Sequence, residues 1–367
     1  MGTVVTYAPG EARSACNHEQ ATRERIARQL AALLGYDFKG EYDASIDYRG
    51  EHLFFVPAQT IVGVQAARAL GVTRPRDFFG GVVPHEFVAT KSITHPLVAH
   101  DARAPRGWSA GFTAAVAGVV LRGYTAFCAA DARRGGARLL EGGSVRVKPA
   151  IAVGGRGQSV VTSVRELDDA VADIAERDLA QCGVTVEENL TEVTTYSVGC
   201  VILDTAVVTY FGTQKLTADH KGADVYGGSD LTVARGGFDE LLKLPLPESA
   251  RRAVEQARVY DAAADRHFEG FMASRRNYDI AVGIRGATER RGGVLEQSWR
   301  IGGASGAEVA ALEWFHTHPG ARAVNASCFE VYGDAAPPAG ATVYFDGEDE
   351  NVGRILKYTV VEPYVDA

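Results

Sequence analysis

Cysteine is scarce and unpaired in this sequence. Five residues in 367 (Cys16, Cys128, Cys182, Cys200 and Cys328) are widely spread, with no CxxC pair and an odd total. That pattern argues against a disulfide framework and for reduced thiols, so a cytoplasmic protein is expected. Long apolar runs are missing too. The longest, Thr113 to Leu121, is far too short to span a bilayer. The N-terminus shows no basic region followed by an apolar core, so no secretory signal is evident. Met1-Gly2-Thr3 fits the loose myristoylation pattern, but Val4-Val5-Thr6-Tyr7 reads better as a first strand. Positive charge is in deficit. A net charge of −8 argues against nucleic acid as the main partner, and Arg133, Arg134 and Arg138 read as solvated surface. The two commoner phosphate loops are absent. Neither Gly-x-x-x-x-Gly-Lys-Ser/Thr opening a helix nor Gly-x-Gly-x-x-Gly between strand and helix occurs.

A different phosphate-binding geometry is present instead. Val145-Arg-Val-Lys-Pro-Ala-Ile-Ala-Val-Gly-Gly-Arg-Gly-Gln-Ser-Val-Val161 brings Lys148 to the end of a β-branched run. A glycine-rich turn follows (Gly154, Gly155, Gly157, then Gln158), and a second strand resumes at Val160. Strand, lysine, glycine loop and strand make a hairpin flap that can fold over a polyphosphate. The glycines let backbone N–H groups approach anionic oxygens, and the lysine supplies a point charge. As an exposed flap residue, Lys148 would add little to stability.

The hydrophobic pattern predicts an α/β chain of several units. Residues 1–90 read as a small α/β domain, with strands at Val4–Tyr7 and Leu53–Val56 and helices at Gln20–Leu34 and about Thr60–Leu70. Residues 91–188 begin with a short helix carrying Lys91 and contain the flap. In the same unit the capping box Ser163-x-x-Glu166 opens a helix that runs to near Gly183. Residues 189–330 hold a hairpin turning at Asp204-Thr205, a helix over Pro247–Glu269 and two apolar strands, Tyr278–Val282 and Val294–Glu296. Between them Gly212–Gly237 reads as a long mobile loop carrying Lys215 and Lys221. Residues 331–367 form a C-terminal hairpin extension.

Lys91, Lys148 and the flap thus precede two acidic strands bearing Asp279 and Glu296. Cations on one side and carboxylates on the other are what Mg·ATP requires, because lysines offset triphosphate charge and carboxylates hold Mg²⁺ through oxygen. A carboxylate inside an apolar strand needs a partner, and one shared cation serves both. Glu187, at a connection, can accept the adenine amino hydrogens, with backbone groups of Glu188 and Leu190 reading the ring edge. His316 and His318 could bind a transition metal, but no third ligand is identifiable, and a surface or core role is favoured.

With these residues in place the chain resembles the ATP-grasp superfamily over about residues 85–310. D-alanine–D-alanine ligase, glutathione synthetase and biotin carboxylase are members. Val-Lys148-Pro with Gly-Gly-Arg-Gly is similar to the family's flap, and Val-Glu187-Glu188-Asn-Leu190 to its adenine hinge. Leu-Glu296-Gln-Ser298-Trp-Arg300 resembles the metal strand, usually Leu-Glu-x-Asn-x-Arg, and Lys91 the lysine that opens the domain. Val83-Pro-His-Glu-Phe-Val-Ala-Thr-Lys-Ser-Ile-Thr-His-Pro resembles a bacterial branch known only as a domain of unknown function. Two positions depart from the pattern. Ser298 replaces the metal-binding asparagine, and Thr194 and Thr195 occupy the place of the ribose glutamate, with Glu192 adjacent.

The resemblance implies an α/β (α+β) ATP-grasp fold with an N-terminal pre-ATP-grasp domain, ATP lying between two subdomains. It implies an ATP- and Mg²⁺-dependent ligase that joins a small-molecule carboxylate to an amine through an acyl phosphate. Lys91 and Lys148 would hold the phosphates, Asp279, Glu296 and Ser298 the metal, and Arg300 the transferring phosphoryl group. Lys215 would close over the site. The alternatives are a small-molecule kinase on the same site, or a degenerate nucleotide-binding regulatory or scaffold protein. No nucleic acid or membrane partner is expected, and a homodimer stays open.

Overall fold

The computed structural model describes residues 2–8, 17–151 and 157–365. β1 (Gly2–Tyr7) lies between β2 (Asp37–Glu41) and β3 (His52–Pro57) in a parallel sheet. α1 (Asn17–Leu34) buries Ile26 and Leu30 and stops where Gly35 adopts a φ of 67°. That left-handed turn costs glycine least. The second helix is shorter than its sequence suggests. β4 (Ile61–Val62) pairs in parallel with β5 (Gly81–Val83), and Gly63 at φ 95° delays α2 until Val64–Ala69.

α3 (Ala110–Val116) leads into the second unit. There β6 (Gly123–Ala126), α4 (Ala129–Leu140), β7 (Val145–Pro149), β8 (Ser159–Val161), α5 (Val164–Ala172), α6 (Glu176–Gln181) and β9 (Val184–Glu188) follow in order. The four strands form an antiparallel sheet in the order β6-β9-β7-β8, so the flap hairpin is present. Ser163 caps α5, its Oγ accepting from Glu166 N at 3.3 Å. The expected single helix is split, α5 ending at Ala172 and α6 starting at Glu176. Leu167 and Val171 bury against Val145, Val147, Val184 and Val186 to give this unit its own core.

The third unit is built on β10 (Thr191–Leu203), β11 (Ala206–Ala218), β12 (Asp224–Arg235), α7 (Phe238–Leu241) and α8 (Glu248–His267). Next come β13 (Met272–Ala273), β14 (Arg275–Arg285), β15 (Glu289–Ser298), α9 (Ser305–Thr317), β16 (Ala323–Tyr332), β17 (Thr342–Asp349) and β18 (Gly353–Pro363). Apart from β13, which joins β5, the strands form one eight-stranded sheet, β15-β14-β10-β11-β12-β16-β18-β17. α1 and α9 cover one face around Val201, Tyr210 and Leu231, and α8 covers the other around Val198, Tyr278 and Ile280.

One expectation is corrected here. Gly212–Gly237 is chiefly a hairpin of β11 and β12, not a loop. Gly212 and Gly228 serve close strand packing. A Cβ on Gly212 would lie 2.1 Å from the Asp230 carbonyl oxygen, and one on Gly228 would lie 2.0 Å from that of Cys328. The C-terminal hairpin is formed by β17 and β18, and it extends the same sheet because β18 pairs with β16. No helix among the described residues is long and apolar enough to cross a membrane.

Candidate active site

A cleft of about 260 Å³ opens between the small sheet and the uncovered end of the large one. β7 and β9 supply Arg146, Lys148, Glu187 and Glu188, and β10, β14 and β15 supply Thr195, Asp279, Ala281 and Glu296.

Alternation along β7 turns Arg146 and Lys148 to the same side. Lys148 is only 2% exposed, which corrects the picture of a solvated flap lysine. Its Nζ donates to Glu187 Oε1 at 3.0 Å and to the Leu295 carbonyl at 3.3 Å. Glu187 Oε2 meets His95 Nε2 at 2.9 Å. Burial alone would raise the Glu187 carboxyl, but the Lys148 charge and the His95 hydrogen bond outweigh it and hold the pKa at about 2. Glu187 therefore anchors Lys148 with a permanent negative charge.

On the opposite wall, Asp279 and Glu296 stand directly across from each other on β14 and β15. A register shift between Asp279 and Ile280 makes this arrangement. It lets Val294 enter the α8 core while Glu296, two residues on, faces the cleft. Bulges re-aim side chains in this way. Lys91 Nζ lies 2.9 Å from Glu296 Oε2, and Gln214 Nε2 donates to Asp279 Oδ1 at 3.0 Å. Burial first, and then the charge of Glu296, push the Asp279 carboxyl up to about 7. Two crowded carboxylates with an all-oxygen donor set suit a divalent cation that shares its shell with water and phosphate. Among the described residues no cluster of three or more His, Cys, Asp or Glu forms a closed metal site.

Lys91 owes its position to Gln297, whose Nε2 donates to the carbonyls of Val88 (3.0 Å) and Thr90 (2.7 Å). Tyr260 Oη donates to the same amide's oxygen at 3.1 Å. Gln297→Leu strands both carbonyls, while the phenol keeps Thr94 Oγ1 at 3.0 Å. It is expected to cost about 1–3 kcal/mol in denaturant unfolding, and unchanged stability would refute this role.

Ser298 lies beside Arg275, whose Nη1 reaches its carbonyl at 3.2 Å and its Oγ at 3.5 Å. Arg275 is itself fully buried and paired with Glu308 at 2.7 Å. Arg300 donates to the Ile301 carbonyl at 2.9 Å and forms no ion pair among the described residues. Burial, and then neighbouring Arg275, lower its pKa.

Other expected residues fall elsewhere. Lys215 sits on β11 with its Nζ 2.7 Å from Asp230 Oδ1 and over the Phe329 ring, while its neighbour Gln214 enters the cleft. Glu192 is exposed at a bulge of β10 with a φ of 50°, and Val193 and Thr195 line the cleft instead. Glu188 lines the cleft, but its carboxylate pairs with Arg285 (3.0 Å) and Arg291 (3.4 Å), bracing β9 against the β14–β15 hairpin. Its N–H donates to the Arg122 carbonyl. Leu190 and Gln158 also line the cleft, and Gly157 begins the return of the flap at φ 67°. Gly154 and Gly155 lie outside the described residues. His318 stacks on Trp314, and His316 is exposed in the last turn of α9.

Sequence reasoning missed Arg146, His95, Gln214 and Gln297. Only His95 left a usable trace, lying four residues after Lys91 in Lys-Ser-Ile-Thr-His.

A family model described as "Protein of unknown function (DUF3182)" matches residues 6–359. No curated protein matches the chain. Among solved structures it is similar to the biotin carboxylase domain of Hydrogenobacter thermophilus 2-oxoglutarate carboxylase, in complex with MgADP, ADP and bicarbonate. The TM-score is 0.55 at 13% identity, covering 98% of this chain and 86% of that one. It is similar to Campylobacter jejuni biotin carboxylase in its β-γ-ATP complex (TM-score 0.53, 12% identity, 98% and 87% covered). Thermotoga maritima phosphoribosylamine–glycine ligase also matches (TM-score 0.53, 15% identity, 98% and 92% covered). The fold is ATP-grasp.

Proposed function

The chain belongs to the DUF3182 family, proteins of unknown function, and from its cleft we propose an ATP-dependent ligase. It joins a small-molecule carboxylate to an amine or similar nucleophile. The observation that carries this reading is Lys148 facing paired Asp279 and Glu296 across one cleft of an ATP-grasp fold, with Lys91 held against Glu296.

The adenine lies against Leu190 and the backbone at Glu188, with Gly157 and Gln158 of the flap above the phosphates. Glu187 keeps Lys148 fixed beside them. Lys91, now paired to Glu296, transfers its charge to phosphate oxygens when nucleotide enters. Asp279 and Glu296 would hold Mg²⁺, which supplies charge neutralisation to the β- and γ-phosphates. Arg300, a partly buried guanidinium that forms no ion pair among the described residues, stabilises the phosphoryl group in flight. A substrate carboxylate oxygen attacks the γ-phosphorus and ADP leaves. The amine then attacks the acyl carbon, loses a proton and expels phosphate. The protein contributes charge and alignment, with no covalent step of its own.

ADP and phosphate release measured across a panel of carboxylates and amines tests this. Equal release of both, dependent on the amine, is expected. ADP without phosphate would make the protein a kinase, and nucleotide binding without turnover on any pair would make it a binding module.

A further inference from the structure

Ser298 leaves the expected metal strand without its amide, yet an amide stands directly opposite. The register pairs Ser298 with Asn277 just as it pairs Glu296 with Asp279. Directly opposed residues share one face of the sheet, with Cβ atoms about 4.5–5.5 Å apart. Asn277 therefore stands two residues from Asp279 on β14, on the face that carries both carboxylates.

The surrounding bonds fix which way the amide points. Tyr210 Oη donates its one hydrogen to Glu308 Oε1 at 2.6 Å, on the carboxylate that pairs with Arg275. Tyr210 can then only accept from Asn277, whose Nδ2 lies 3.1 Å away. The second Nδ2 hydrogen goes to Ser197 Oγ at 2.6 Å. Both hydrogens are committed, so nitrogen and oxygen cannot exchange places. Asn277 is 8% exposed, and among the described residues no donor reaches its Oδ1. That oxygen is not among the buried side-chain atoms closed off without a partner, so a cation or water can reach it.

We infer that Asn277 supplies the neutral oxygen ligand of the cation shared with Glu296, the amide having crossed from β15 to the facing position on β14. The inference rests on the Mg·ATP reading of this cleft. Ser197 and Tyr210 act on the metal through Asn277 by holding its amide, as outer partners orient metal ligands generally. Ser298, facing it, leaves the space that a second amide would fill.

Mn²⁺ titration of the full chain with a non-hydrolysable ATP analogue, read by the electron paramagnetic resonance of free Mn²⁺, tests this without turnover. The wild type should bind Mn²⁺, and Glu296→Gln should weaken binding. Should the wild type bind none, the Mg·ATP reading itself falls. Asn277→Ser should weaken Mn²⁺ about tenfold or more, and adding Ser298→Asn to that variant should restore it. Asn277→Asp keeps the oxygen, and should bind Mn²⁺ at least as tightly as the wild type. Wild-type affinity in a folded Asn277→Ser overturns the inference while leaving the Mg·ATP reading intact. Should Asn277→Ser not fold, loss of binding in Asn277→Asp overturns it instead, because the amide would then act only through its N–H groups.

Discussion

Asp279→Asn and Glu296→Gln are each expected to lower ATP-dependent product formation by about 10²–10³-fold, while Asp279→Asn raises the melting temperature of the metal-free protein. The two effects have one cause. Burial and the facing Glu296 push the Asp279 carboxyl up to about 7 from 3.8, so ionising it inside the fold is unfavourable. A carboxyl raised in the folded state binds its proton more tightly there than in the unfolded chain. Stability therefore falls as pH rises from about 3.8 to about 7 and stays reduced above. The neutral amide removes that penalty and with it the site's demand for a cation. Added Mg²⁺ and nucleotide should stabilise the wild type by mass action and Asp279→Asn far less. ADP release with saturating Mg²⁺, alongside melting in chelator at pH 5 and pH 8, measures both effects. Wild-type turnover in either variant would remove these carboxylates from the mechanism.

How far the site could be read from sequence depended on how local each determinant is. The flap was legible because a β-branched run, a glycine-rich turn and a second run lie within Val145–Val161. Asp279 and Glu296 were legible because carboxylates in apolar strands need partners. Gln214 and Lys215 show the limit. They are neighbours on β11, and strand parity alone sends one into the cleft and the other to Asp230. That parity follows from pairing with β10 and β12, which the local pattern did not reveal. The glycines of β11 and β12 looked like loop formers because their crowding comes from neighbouring strands. His95 meets Glu187 across 92 positions, so only the fold brings them together.

The burial of Lys148 decides what its removal does. Lys148→Ala should abolish turnover, as loss of a phosphate-binding cation would, and should also destabilise the fold by about 3–5 kcal/mol, the usual cost of breaking a buried ion pair. Glu187, 1% exposed, would keep His95 as its remaining close partner. The pH dependence gives an independent check. Glu187 is depressed from 4.5 to about 2, so the stability it contributes is present above about pH 4.5 and is lost as pH falls through about 2. Lys148→Ala should erase most of this acid-dependent loss, because the charge that depresses the carboxyl is gone. Lys148→Met with Glu187→Gln removes both charges, and should regain much of the stability while remaining inactive. Urea unfolding of the three proteins at pH 3 and pH 7, with ADP release for each, separates anchoring from chemistry. A Lys148→Ala protein as stable as the wild type would show that Glu187 does not depend on this lysine. A double variant that still turned over ATP would show that the phosphates do not depend on it.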